Sequence, residues 1–503
     1  MITKKRWIGL VLFLSLVLLP FALEPIQADD LTSFLTINQI NGSRGLLAGL
    51  KYWLWLQRTM TGHFVPVGWT IQWFDVTLLS SVQQITHINF AILYFFHNFL
   101  ILIPTLLLTI YIISRAIYSS QIDVRSLALS STFGSTLILG VILLNHSTWS
   151  IDPFSQHLVY GLIGFLFIAY SIDAYIKFMK SIDAPIIYFS RFLFFFVLSA
   201  FIYDLAYPIT LVSILVFMFR SRKSRSFDFY HWSLRRSLAS FAVIFSTFFL
   251  SQILRGNVDY AGTQLSITGA TIKATSIGMT SLLPPIGIAR AIRSYGNVPH
   301  ISVVSFCVLI CILIVLKSTF FSYSDRNQFF LKAMAVSPFI VEPFFIILGA
   351  TFAQVANKQW VNVMLHFGNI YLYELPSEIL LAVMLHQFFS YIPQKIHRPN
   401  LSTIRIVLFL LFATLLTVNT ISNWWVLNLD GRQADTSIVR AALDPHLSNM
   451  EGCDAVDVFS TIRYPKSYQD LVIATASDIH SKKYGSPICN GAKDINESRK
   501  ELG

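Results

Sequence analysis

The sequence predicts an all-α polytopic membrane protein of about eleven transmembrane helices with a small extracytoplasmic C-terminal region. Three observations predict it. First, 54% of the 503 residues are hydrophobic, 13% are charged, 43 are Phe, and mean hydropathy is +0.61. That leaves too little charge for a water-exposed surface and too much apolar area for disorder. Second, the apolar residues form continuous runs of about the 20 residues a membrane helix needs. They do not alternate as the strands of a membrane barrel do. Third, Lys and Arg fall unevenly on the two sides of those runs.

The runs lie near 7–24, 86–113, 127–145, 157–175, 186–203, 206–220, 237–254, 301–319, 329–351, 375–392 and 405–423. The fifth and sixth are short and close together, which also fits a re-entrant pair. With the N-terminus in the cytoplasm, 20 of the 37 Lys and Arg residues fall on cytoplasmic segments, 8 on external loops and 9 on the tail from Trp424. Cytoplasmic loops are short and basic, as the positive-inside rule requires. The formal charge of +11 is therefore a topology signal, and no concentrated soluble basic face points to nucleic acid. Lys4-Lys5-Arg6 followed by an apolar stretch also resembles a signal peptide, but the run is long and reads as a retained helix.

Irregular sequence concentrates outside, in loops near 24–85, 255–300 and 354–374 and in the tail 424–503. Residues 1–423 thus form a membrane domain, and 424–503 a separate unit carrying net charge −2. Cys453 and Cys489 in an exported tail suggest a disulfide. Cys307 and Cys311 lie inside the eighth run and read as packing residues. Residues 459–464 and 470–475 resemble short strands, so the tail is expected to be a stapled α+β cap or a flexible appendage.

Candidate chemistry begins in the first external loop. Asp29-Asp30 stands just beyond the first run, followed by an amphipathic region over 38–57, His63 in a Gly-His-Phe-Val-Pro segment, Asp75, and a span that opens on His87-Ile88-Asn89 and reaches His97-Asn98. A carboxylate at the membrane surface can take a proton from an acceptor hydroxyl or bind a divalent metal that organises a lipid phosphate. Equally, Asp30 can start a surface helix, where it would stabilise free N–H groups and the macrodipole. His87, His97 and Asn98 read mainly as interhelical hydrogen-bonders. Arg255, Lys273, Arg290 and Arg293 lie in the second loop, the last two in an amphipathic stretch 286–295 that suits the membrane surface. Glu342 is a charge at bilayer depth between two prolines, and Asp204 lies between two spans on the external side.

This order of features resembles the GT-C integral-membrane glycosyltransferases, the protein O-mannosyltransferases and their transmembrane relatives most of all. It comprises a first helix, an external loop opening on Asp-Asp, a Gly-His-x-x-Pro-x-x-Trp segment and a His/Asn-rich helix. The resemblance covers residues 1–110. It implies that Asp29 or Asp30 acts as catalytic base with His63 in support. It further implies an inverting transfer in which a polyprenyl-phosphate sugar is the donor, the acceptor is extracytoplasmic and membrane lipids surround both. Arg255, Lys273, Arg290 and Arg293 become candidates for the donor phosphate. Asp75, His87, Asp204 and Glu342 become candidates for the cavity wall. No resident cofactor is implied, although a divalent metal is compatible with the carboxylates. The chain departs from the family in lacking tetratricopeptide repeats, in the tight His87-x-Asn89 spacing and in having no evident second acidic motif. Under this reading the protein belongs in a bacterial inner membrane with its tail in the periplasm. An O-antigen polymerase or ligase, a transporter of lipid-linked precursors and a non-catalytic scaffold are the competing readings.

Overall fold

A computed structural model describes residues 12, 15–118, 159–222, 227–255, 267–281, 344–367, 377–381 and 414–489, less short gaps at 25, 27, 61–62, 182–183, 357, 415, 426, 428–429, 445 and 461–465. Among the described residues the chain is all-helical, with no strand. The segment expected as the first external loop folds as α1 (Ala28–Arg44), α2 (Leu46–Met60) and α3 (Pro66–Thr86). Next come α4 (Phe90–Tyr118), α5 (Gly164–Lys180, entered through a π-helical turn at Val159–Ile163), α6 (Pro185–Ala200), α7 (Ala206–Arg222) and α8 (Phe227–Leu254). They are followed by α9 (Gly269–Ser281), α10 (Phe344–Val355) and α11 (Lys358–Phe367). The tail contributes α12 (Asp430–Leu443), α13 (Asn449–Ser460) and α14 (Lys466–Tyr484).

Local chemistry sets the boundaries in the first segment. Gly45 takes φ +75 between α1 and α2, a left-handed conformation that suits glycine. Pro66 stands in the first turn of α3, where its missing N–H costs nothing. His87 closes α3 in the left-handed region at φ 54, its N–H reaching Gln83 O at 2.9 Å. Two residues later the Asn89 side chain accepts the Ala91 N–H at 2.9 Å and caps α4. His87-Ile88-Asn89, expected to open the second span, is instead the punctuation between two helices.

Among the described residues, three helical stretches are long and apolar enough to cross a membrane: Phe90–Ile113, Gly161–Lys180 and Leu234–Leu254. The second is 72% buried and the other two 22% and 28%, so α5 is the hub while α4 and α8 turn broad faces outward. α6, α7 and α10 are apolar but shorter. The expected spans near 127–145 and 301–319 lie outside the described residues, and those near 329–351, 375–392 and 405–423 are described only in part.

Two hydrophobic cores result. The first surrounds α5, where Phe165, Ile168, Tyr175, Phe192 and Phe196 are fully buried. The Tyr175 hydroxyl meets Ser237 Oγ at 3.0 Å. Arg236 points its guanidinium at the end of α5, donating to Phe178 O at 2.5 Å and Ser181 O at 2.8 Å, which satisfies carbonyls the helix cannot. Gly164 lets α5 approach the turn after α6; a Cβ there would stand 2.7 Å from Tyr203 Cβ.

The second core joins α1, α2 and α3 to the tail. Phe34, Trp53, Trp69 and Phe90 pack in one cluster with Ile438, Phe459, Val472 and Ile479. Trp53 donates its indole N–H to Trp69 O at 3.1 Å. Asn41 bridges α1 to α3, donating to Thr77 at 3.0 Å and accepting from Trp73 at 3.1 Å. The Gln39 amide donates to the Asp478 carboxylate on α14. The tail is therefore neither a flexible appendage nor a separate α+β cap. Residues 470–475, expected as a strand, lie inside α14, and 459–460 end α13; 461–465 are outside the described residues. The apolar triplet Leu471-Val472-Ile473 suggested a strand, but burial recurs at Val472, Ala476 and Ile479, which is helical spacing. Ser448 and Glu451 form a reciprocal capping box that starts α13. These hydrogen bonds from Ser448 hold the Glu451 carboxyl below its ordinary range. A disulfide joins Cys453 to Cys489, with Cα atoms 4.8 Å apart. Gly452 permits the approach, since a Cβ there would collide with Ile488 O.

Candidate functional site

Two histidine–aspartate pairs organise the polar groups between the cores. The first lies where α1, α3 and α4 meet. His97 Nε2 donates to Asp75 Oδ1 at 2.7 Å, and its Nδ1 faces Asn98 Oδ1 at 3.0 Å. The ring is therefore fixed in plane by α3 on one side and by its own helix on the other. Tyr94 stacks on His97 with centroids 5.9 Å apart, and Phe90 stacks on Tyr94 at 5.7 Å. Positions 90, 94, 97 and 98 share one face of α4 because residues three and four apart are neighbours on a helix.

Further carboxylates act on this stack at a distance. Asp30, half-buried in the first turn of α1, is within electrostatic reach of both Tyr94 and His97. Asp75 and Glu24 also act on Tyr94, and Glu24 is buried. The residue expected to be either a base or a helix-starting carboxylate does stand in the first turn of α1, with His97 within its electrostatic reach. Asp29 shares that first turn, and its side chain lies outside what is described.

The second pair joins the loop before α3 to the turn between α6 and α7. His63 Nδ1 donates to Asp204 Oδ2 at 2.5 Å, with both side chains part-exposed. The segment after His63 is held against that turn by Gly68 N–H to Phe201 O at 3.0 Å and by Phe64 edge-on to Phe201 at 6.0 Å. Burial pulls the imidazole pKa down. The charge of Asp204 and its hydrogen bond outweigh that pull, so the net shift is upward from 6.5, opposed by the positive charge of Arg255. Arg255, at the end of α8, is therefore within electrostatic reach of His63.

The structure joins Asp75 to His97 and Asp204 to His63; Asp30 lies within electrostatic reach of the first histidine and Arg255 of the second. His87 joins neither pair: it is the exposed cap of α3. Lys273 is exposed on α9. Arg290, Arg293, Glu342 and the amphipathic stretch 286–295 lie outside the described residues. Tyr94 and Glu24 are additions that sequence reasoning missed. The signal for Tyr94 was its position three residues before His97; Glu24 ended an apolar run and carried no motif. Among the described residues, no group of three or more His, Cys, Asp or Glu side chains is arranged to hold a metal ion.

Comparison of the chain with protein-family models, curated proteins and solved structures finds no match.

Proposed function

We propose that this protein is a GT-C-like glycosyltransferase of a bacterial inner membrane, built on about eleven spans, with its N-terminus in the cytoplasm and its working face in the periplasm. It transfers a sugar from a polyprenyl-phosphate carrier to an envelope glycan, lipid or exported protein. The observation that carries the reading is Asp30: a first-loop carboxylate, half-buried, within electrostatic reach of the His97 that Asp75 holds.

Asp30 takes the proton from the acceptor hydroxyl. The acceptor oxygen bonds to the anomeric carbon from the face opposite the carrier. The bond from that carbon to the phosphate oxygen breaks, its electron pair leaves with the carrier phosphate, and the anomeric configuration inverts. Asp75 orients His97, and the pair fixes the polar wall against which the acceptor lies. Charge grows on the departing phosphate, where Arg255 and a protonated His63 supply positive charge.

The test is mass analysis of envelope glycans, lipids and exported proteins from cells with the gene, without it, and complemented by Asp30→Asn. One sugar should vanish from one class of molecule, and the variant should reach the membrane without restoring it. An unchanged glycan profile alongside altered solute uptake would favour a transporter and overturn the assignment.

A further inference from the structure

The segment expected as the first external loop carries a surface that neither histidine–aspartate pair uses. On α3 the positions Phe74, Leu78 and Ile85 fall on one side of the helix, at i, i+4 and i+11, and all three are exposed, Ile85 at 80%. On α2 the positions Leu47, Lys51, Trp55 and Arg58 likewise share one side and are exposed. Neither helix is among the stretches apolar and long enough to span a membrane. An exposed apolar stripe on a non-spanning helix costs free energy in water, so it needs a partner.

Charge and continuity identify that partner. No acidic residue stands between Asp30 and Asp75, a stretch that holds Arg44, Lys51 and Arg58. Arg44 stacks its guanidinium 4.0 Å over the Tyr52 ring, and Tyr52 lies 5.4 Å from Trp55. Cations on flexible stems beside Trp and Tyr are the composition of a membrane–water interface, where ring bodies enter the acyl boundary and charges reach phosphates. In sequence the α3 stripe is followed, across the His87 turn and Ile88, by exposed Ile92, Phe96 and Leu100 on the apolar helix α4.

We propose that α2 and α3 lie on the outer leaflet as an interfacial platform, with Leu47, Trp55, Phe74, Leu78 and Ile85 immersed in the acyl boundary and Arg44, Lys51 and Arg58 bound to anionic lipid phosphates. The platform holds α1, and with it Asp30, at headgroup depth. The inference stands independently of the reaction assigned to the site.

Nitroxide labels test it on the full chain in lipid nanodiscs. They are placed singly by Leu47→Cys, Leu78→Cys and Ile85→Cys in a Cys307→Ser/Cys311→Ser background that keeps the disulfide. Leu100→Cys on α4 reports acyl depth and Lys466→Cys on the tail reports water; all five positions are exposed, so the labels do not disturb a core. Collisions with oxygen should dominate over those with a water-soluble nickel chelate at 47, 78 and 85, as at position 100 and opposite to position 466. Position 47 should lie deeper in phosphatidylglycerol than in phosphatidylcholine, and Lys51→Gln/Arg58→Gln should abolish that difference. A profile like that of position 466 overturns the platform. Equal immersion in both lipids overturns the anionic-phosphate contact.

Discussion

The two histidine–aspartate pairs share one chemistry and differ in surroundings. His97 and Asp75 expose 15% and 25% of their side chains; His63 and Asp204 expose 38% and 45%. The first pair joins α3 to α4 across 22 residues of sequence, and its ring is stacked on Tyr94. The second joins a loop to a turn 141 residues away, with Arg255 nearby. Breaking the first pair is costly, because a half-buried carboxylate is then left without its partner. The second pair presents more of its side chains to water, which screens the attraction between its charges.

The largest effect should come from Asp30→Asn, which removes the carboxylate within electrostatic reach of His97. Loss of a general base predicts a fall of about 10²–10⁴ in transfer rate, with an unchanged unfolding midpoint. A rate within about tenfold of the native protein would move the reaction centre away from this pair.

Breaking the disulfide sharpens the same contrast. Cys453 and Cys489 are 36 residues apart, so Cys453→Ser/Cys489→Ser should weaken the tail by about 3–4 kcal/mol, measured by denaturant unfolding. Because α14 packs against α1, proteolysis should then also reach α1, while the turn carrying Asp204 in the other core stays protected.

His97→Ala should cost about 1–3 kcal/mol of stability by stranding Asp75 against α4. Asp204→Asn should cost under about 1 kcal/mol, because its pair is exposed.

The last distinction is one of pH. The His63 pKa is raised in the folded protein, so the pair's contribution is fully present below the ordinary value of 6.5 and is lost as pH rises through the raised one. The gap in melting temperature between the native protein and Asp204→Asn should therefore be widest in mild acid and close in alkali. A gap that widens with pH would show that Asp204 acts through another partner.

How much of this was legible in the sequence varies by feature. Helical class and the apolar stretches of α4, α5 and α8 follow from hydropathy, which each segment carries within itself. Asp30, Asp75, His63 and Asp204 were each picked out as polar residues in exposed or bilayer-edge positions, yet nothing local paired them. Asn89 does open α4 as its cap, whereas His87 closes α3, because cap geometry depends on the backbone reversing there and an apolar flank hides that reversal. The tail strands failed for a related reason: three consecutive apolar residues satisfy a strand and a helix face alike, and burial against α1 chose the helix.

By itself, then, the sequence determined the helical class and its apolar stretches: a chain 54% hydrophobic and 13% charged builds helices long and apolar enough to cross a membrane. Tertiary structure alone decided that Asp75 meets His97, that His63 meets Asp204, and that the tail completes the core beneath Asp30. Hydropathy and helical period are properties of neighbouring residues. These pairings close loops of up to hundreds of residues, and only the packing of the whole chain selects which loop ends meet.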